Sequence, residues 1–245
     1  MTQSVGTGVA RSGDETIEYR IRRSARRTRT ILISVDRDGV LVAAPLDTPD
    51  HELRELVVRR APWILKKLHA LADAPAPLRF VSGETLPYLG RSLSLSCDHD
   101  GPGTPEARLE EQRLRIAVPA GLAGQERSAA VREAVVAWYR GRADERLPAA
   151  VEDWWSRLGD GPPPPVLVRD QRRRWGSCGS DGVIRLNWRL VMLEAGLIDY
   201  VVVHELSHLR IRNHSPSFWN QVARSIPDVR DRHRRLKEIA LRLPL

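Results

Sequence analysis

His204-Glu205-Leu206-Ser207-His208 places two imidazoles and a carboxylate where they could bind a metal ion and use it. On an α-helix, residues 204 and 208 stand one turn apart on the same face, so their ring nitrogens can converge on one cation. Glu205 is rotated from His204 by about 100° and makes a poor third ligand, but its carboxylate can take a proton from water beside the ion. Two histidines that bind and a carboxylate between them that moves the proton are the working parts of zinc hydrolysis. His214 is a candidate third ligand, which leaves a fourth position open to water. The bland alternative is a polar helix face. Against it, the histidines interrupt a segment that is apolar on every side (Leu197, Ile198, Val201, Val202, Val203, Leu206, Leu209), which reads as a buried helix. Buried polar groups without partners are costly, and a metal is one way to satisfy them. Asn213 ahead of His214 tolerates a left-handed helix stop, and Ser215-Pro216 after it supplies an N-cap and a first helical position.

The chain has 245 residues, enough for one large or two modest domains. Its composition, 42% hydrophobic and 29% charged, is that of a globular protein. No apolar run approaches the roughly 18 residues needed to span a bilayer. Residues 1–10 lack the hydrophobic core of a signal peptide. Cys97 and Cys178 are too few for a disulfide framework and form no C-x-x-C pair, so a reducing, cytoplasmic setting without a membrane is expected. The net charge of +8 raises a nucleic-acid partner. The cationic residues are nearly all Arg, with Lys only at Lys66, Lys67 and Lys237, which is a compositional bias as much as a surface. The clusters at 20–29, 172–174 and 230–237 read either as a binding footprint or as solvated, salt-bridged faces.

Residues 1–13, rich in Gly, Ser and Thr, are expected to be disordered. Strand-like alternation follows at 16–21 and 30–35, and Asp36-Arg37-Asp38-Gly39 is a hairpin turn into 40–44. One amphipathic helix is predicted from about 48–50 to 71, with Leu53, Leu56, Val57, Trp63, Ile64 and Leu68 on its apolar side. Ala74-Pro75-Ala76-Pro77 is a linker. Strands are predicted at 78–81, 85–89, 92–97 and 114–118. A long helix is predicted over 125–158, kinked or split at Pro148, with its tryptophans in the core. Strands at 165–170 and 183–188 precede the histidine helix, and two short helices close the chain. The expected architecture is α+β. An N-terminal β-rich module with one helix spans 14–122, and an α+β domain with a small sheet and the His204–His208 helix spans 123–245.

Arg174-Trp175-Gly176-Ser177-Cys178, Leu186-Asn187-Trp188-Arg189-Leu190, the run from Ile198 through Leu206, Asn213-His214-Ser215 and Phe218-Trp219 together resemble the YgjP-like family of zinc metallopeptidases. The Arg-rich N-terminal strand, Pro62-Trp63-Ile64 and Tyr88-Leu89-Gly90 fit it too. The resemblance implies a zincin-like catalytic domain, one Zn2+ held by His204, His208 and His214, and Glu205 as acid and base. It implies no particular substrate. The histidine spacing is also that of metzincins and of the WLM family. Ile211 stands where a metzincin has Gly, and no Met follows the site, so a metzincin Met-turn is excluded and the turn into His214 is assigned to Asn213.

The chemistry expected is hydrolysis of a peptide bond by metal-activated water, with Glu205 as general base. Tyr200, His233, Arg174 and Asn213 are candidate donors to the oxyanion. Trp175 either lines a substrate cleft or packs its hairpin on the metal helix. Strand 183–188 is a candidate edge for an extended peptide. Cys178 is either a thiol that approaches the metal or a structural one. Asp199 either supports a zinc histidine or sits at a helix N-terminus for its dipole. Asp228, Asp231 and Glu238 are alternatives to His214 as third ligand. The competing functional class is a nucleic-acid-associated protein, either a binder with a structural zinc or a recruited protease in the manner of SprT-like proteins.

Overall fold

A computed structural model describes residues 3–73, 76–101, 103–171, 174–240 and 243–245. Contacts gather the chain into two compact units, Met1–Pro75 and Ala76–Leu245. In the first, strands β1 (Gln3–Ser12), β2 (Glu15–Ser24), β3 (Leu32–Asp36) and β4 (Gly39–Ala44) form a sheet of order β1-β2-β4-β3. β2 and β4 run parallel and the other pairs antiparallel. Alternation along β2 turns Ile17, Tyr19 and Ile21 to one face, where Leu53 and Val57 of α1 (Asp50–Arg59) and Ala61 and Ile64 of α2 (Ala61–Ala72) join them in a closed core.

This unit departs from the expected one twice. Residues 3–12, expected to be disordered, pair with β2 along their whole length, from Gln3↔Ser24 to Ser12↔Glu15. Gly8 lies against the Tyr19 ring, where any side chain would collide. Gly8, one of the small residues that read as flexibility, therefore lets the backbone close over Tyr19. The single helix expected to run to residue 71 is two helices meeting at Arg60. Pro62 has no N–H to give to the turn before it, and its ring excludes the carbonyl four residues back, so a new helix starts there. Of the expected linker, residues 74 and 75 lie outside the described residues, as do Arg172 and Arg173.

The second unit starts with a sheet of order β5-β6-β8-β7, built from β5 (Thr85–Tyr88), β6 (Arg91–Gly101), β7 (Glu106–Glu110) and β8 (Arg113–Pro119). The expected boundary at 122/123 would have assigned these strands to the N-terminal module. Instead, Leu86, Leu93, Leu95, Leu114, Ile116 and Val118 share one core with α3 (Gly124–Leu158) and everything after it. On α3, Val131, Val135, Tyr139, Ala143, Leu147 and Val151 recur every fourth residue as a buried stripe. The helix continues through Pro148, which was expected to kink or split it. The carbonyl that the proline leaves unpaired belongs to exposed Asp144, where water can meet it.

A second small sheet, order β10-β11-β9, comprises β9 (Val166–Arg169), β10 (Gly176–Cys178) and β11 (Ile184–Asn187). A 3-10 turn (Trp188–Met192) leads into α4 (Ala195–Ser207), followed by α5 (Pro216–Ser225) and α6 (Val229–Ile239). α4 packs against α3, α5, α6 and β10. Among the described residues no helix is long and apolar enough to cross a membrane.

The Tyr139 hydroxyl, buried beneath the first sheet of this unit, donates to the Pro87 carbonyl at 2.6 Å. Tyr139→Phe strands that carbonyl and is expected to lower unfolding stability by about 1–2 kcal/mol with an unchanged m value, as read by urea titration.

Candidate metal centre

α4 ends at Ser207, and His208 caps it in helical backbone conformation, which keeps its side chain one turn above that of His204. A tight turn follows: Arg210 and Ile211 both donate backbone N–H groups to the Ser207 carbonyl. The Ile211 carbonyl in turn accepts from the His208 Nδ1 at 3.0 Å. That bond fixes the tautomer and leaves the His208 Nε2 lone pair free for an ion. Asn213 does not adopt the left-handed conformation expected of it. Its Oδ1 instead accepts from the Ser215 N–H at 3.3 Å, so a side-chain turn delivers His214.

One donor atom from each of His204, His208 and His214 lies within 4.8 Å of the others, and the Nε2 atoms of His204 and His214 are 3.1 Å apart. The remaining nitrogen of His204, Nδ1, is buried without a hydrogen-bond partner. Burial and the neighbouring imidazoles hold His204 down to about 3, and burial lowers His208 as well. Imidazoles facing one another at this range bring donor nitrogens to a common point, which is the arrangement a cation satisfies and a solvated polar face does not.

Among the described residues no cysteine or carboxylate joins this group. Cys178 holds its Sγ 3.7 Å from its neighbour's carbonyl at Gly179, and burial raises its thiol. Asp228 pairs with Arg232, Asp231 with Arg234, and Glu238 with Arg234 at 3.5 Å, so the alternative third ligands are occupied elsewhere. Arg235 meets Glu194 at 2.6 Å. These pairs give the last basic cluster the character of a salt-bridged face, the reading that weighs against a nucleic-acid footprint there.

Glu205 is only 6% exposed. Burial pushes its carboxyl up to about 7, opposed by a hydrogen bond from the Cys178 backbone N–H and by the charge of Arg174. A cavity of about 320 Å3 opens over the three imidazoles and Glu205, bordered by Gly176, Ser177 and Cys178 of β10 and by Arg212. Arg210 and Arg185, close in sequence to this rim, pair with Asp160 and Asp181. Arg212 has no carboxylate partner among the described residues.

The other residues singled out from sequence are placed differently. Tyr200 is buried, raised to about 12 chiefly by that burial, and its hydroxyl shares a 2.9 Å hydrogen bond with His233 Nδ1. Asp199 accepts from the Trp154 indole at 2.9 Å and so ties α4 to α3 rather than supporting a histidine. Arg174 acts on Glu205 by charge, and its carbonyl accepts from the Asn187 side chain at 3.1 Å. Trp175 is half-buried against the core. None of Tyr200, Trp175, Arg174 or Asn213 borders the cavity as described. The strand expected to offer a free edge, 183–188, contributes β11, which lies in the middle of its sheet; the free edge beside the histidines is β10.

Sequence reasoning gave no role to Arg212, and quoted Phe218 only as part of the family resemblance. Phe218 of α5 is fully buried and lies beneath all three imidazoles, stacked on His208 with ring centroids 4.4 Å apart and 4.9 Å from both His204 and His214. The hydrophobic period of α5 marks Phe218 as core, but nothing in its spacing says which residues it touches.

Over residues 29–239 the sequence matches the family model described as YgjP-like, metallopeptidase domain. Among curated proteins none matches. Two crystal structures of metallopeptidase zymogens are similar to parts of the chain. Pyrococcus abyssi abylysin is 25% identical, with 40% of this chain and 99% of that one covered and a TM-score of 0.36. Methanocaldococcus jannaschii jannalysin is 19% identical, covering 38% and 94%, with a TM-score of 0.34.

Phe218→Ala removes the floor beneath the three rings. It is expected to cost about 3–5 kcal/mol of stability. In chelator-competition titrations the same variant should bind zinc more weakly, because the imidazoles lose the packing that holds their rotamers.

Proposed function

This chain belongs to the YgjP-like metallopeptidase family, and on that premise we propose that it is a zinc-dependent peptidase acting on protein or peptide substrates. His204, His208 and His214 are assigned as ligands of a single Zn2+ and Glu205 as the general base. The observation that carries this reading is the convergence of three imidazoles with a buried carboxylate on one cavity wall and no further protein donor among the described residues. The ion, when bound, supplies Lewis-acid polarisation of the scissile carbonyl and brings the pKa of water in the open position toward neutrality.

The protein's own residues supply the rest. Glu205 takes a proton from the attacking water and passes it to the leaving amine nitrogen. Arg212, without a carboxylate of its own, is placed at the rim to donate to the carbonyl oxygen as negative charge develops there. The free edge of β10 offers main-chain groups to an extended peptide beside Glu205.

Metal analysis combined with proteolysis of fluorescein-labelled casein tests the assignment. Glu205→Gln is expected to keep one zinc per chain and lose activity by at least about 100-fold. His214→Ala is expected to lose the metal as well. Undiminished cleavage by Glu205→Gln would remove the basis for the catalytic reading and favour a structural ion. Arg212→Ala is expected to lower the maximal rate on the order of 100-fold with zinc content unchanged.

A further inference from the structure

Glu205 and β10 meet at a range open only to glycine. A Cβ built on Gly176 would lie 2.7 Å from both Cγ and Oε1 of Glu205 and 3.0 Å from its Cδ, closer than side chains ever settle. The backbone at 176 is not in the left-handed region, so its own conformation would accept alanine. Glu205 is what excludes a side chain there.

A second influence comes from the same strand, where the Cys178 backbone N–H faces Glu205 and lowers its carboxyl. Its direction follows from the ladder. The Trp175 carbonyl accepts from Asn187 N at 2.8 Å and the Gly179 N–H donates to Val183 O at 3.1 Å, both toward the β11 side. Alternation then turns the main-chain groups of Gly176 and Cys178 away from β11, to the free edge. The two-residue repeat also puts the Cα substituents of 176 and 178 on one face. The carboxylate thus has a slot at Gly176 with the Cys178 N–H on the same strand edge.

We propose that Gly176 is a positioning residue for the catalytic base: its missing side chain, with the Cys178 N–H, fixes the Glu205 carboxylate against the strand edge that receives the peptide. Base and substrate then share one frame of reference, because a shift of β10 moves both together. The inference rests on the role proposed for Glu205.

The test is a double-mutant cycle of Gly176→Ala and Glu205→Ala, followed by thermal unfolding without added metal. Casein hydrolysis by zinc-loaded Gly176→Ala is measured alongside it. With Glu205 present, alanine at 176 is expected to lower Tm by about 2–6 °C. In the Glu205→Ala background the same change leaves Tm level or raises it, since alanine restricts the unfolded chain more than glycine does. Zinc content stays at that of the parent, and the maximal rate falls about 100-fold while the half-saturating casein concentration stays within about threefold. Equal Tm changes in the two backgrounds, or a maximal rate within about threefold of the parent, overturn the proposal. If Gly176→Ala alone does not fold, a cooperative transition regained in the double variant supports the contact, and its failure there overturns it. Continued cleavage by Glu205→Gln would instead sink the catalytic role of Glu205 while leaving the measured coupling between 176 and 205 intact, so the two failures are distinct.

Discussion

The structure of the second unit depends on one constraint: α4 is apolar on every side and must be buried, yet it carries His204 and Glu205 inward with it. A buried helix leaves little water to satisfy those groups, so the fold has to do most of it. The histidines are answered by one another and by a position where an ion fits. The carboxylate is answered by a backbone N–H and the charge of Arg174. The stripe on α3 and the indole of Trp154, which donates to Asp199, hold α4 at the depth where both solutions apply.

Two kinds of support surround the site. The imidazoles rest on aromatic packing: Phe218 lies beneath all three, and Trp219 sits 5.8 Å from His204 and 5.7 Å from His214. The carboxylate rests on main chain, which is stiffer than any side chain. The difference suits the tasks proposed for them. Ligands need fixed rotamers and a fixed tautomer, as the bond from His208 to Ile211 provides. A base needs a defined distance to a reacting atom, and a strand edge sets that distance better than a second flexible side chain would. Charge follows the same economy. Arg185, Arg210, Arg232, Arg234 and Arg235 are each met by a carboxylate, which leaves Arg212 as a cation free to face the cavity among the residues described there.

Much of this was legible in the amino-acid order. The spacing of His204, Glu205 and His208 within an apolar run dictates a buried helix with a polar pair on one face, and the α+β pattern follows from where periods of two give way to periods of 3.6. Composition misled where small residues were concerned. Gly8 reads as flexibility but lets β1 close over Tyr19, because an open backbone is also the one that can approach a ring. The domain boundary was missed for a related reason. The strands at 85–119 are amphipathic whichever helix covers them, and only packing shows that α3 does.

Local rules thus determined the helix, its histidines and the candidate base, since each depends on residues a few positions apart. Tertiary structure decided what no local rule reaches. It put β10 rather than β11 at the free edge, set Gly176 against Glu205, laid Phe218 under the three rings and left Arg212 without a partner. Each of these is a contact between segments far apart in the chain, whose energies come from shape and exclusion of water and leave no period or spacing behind.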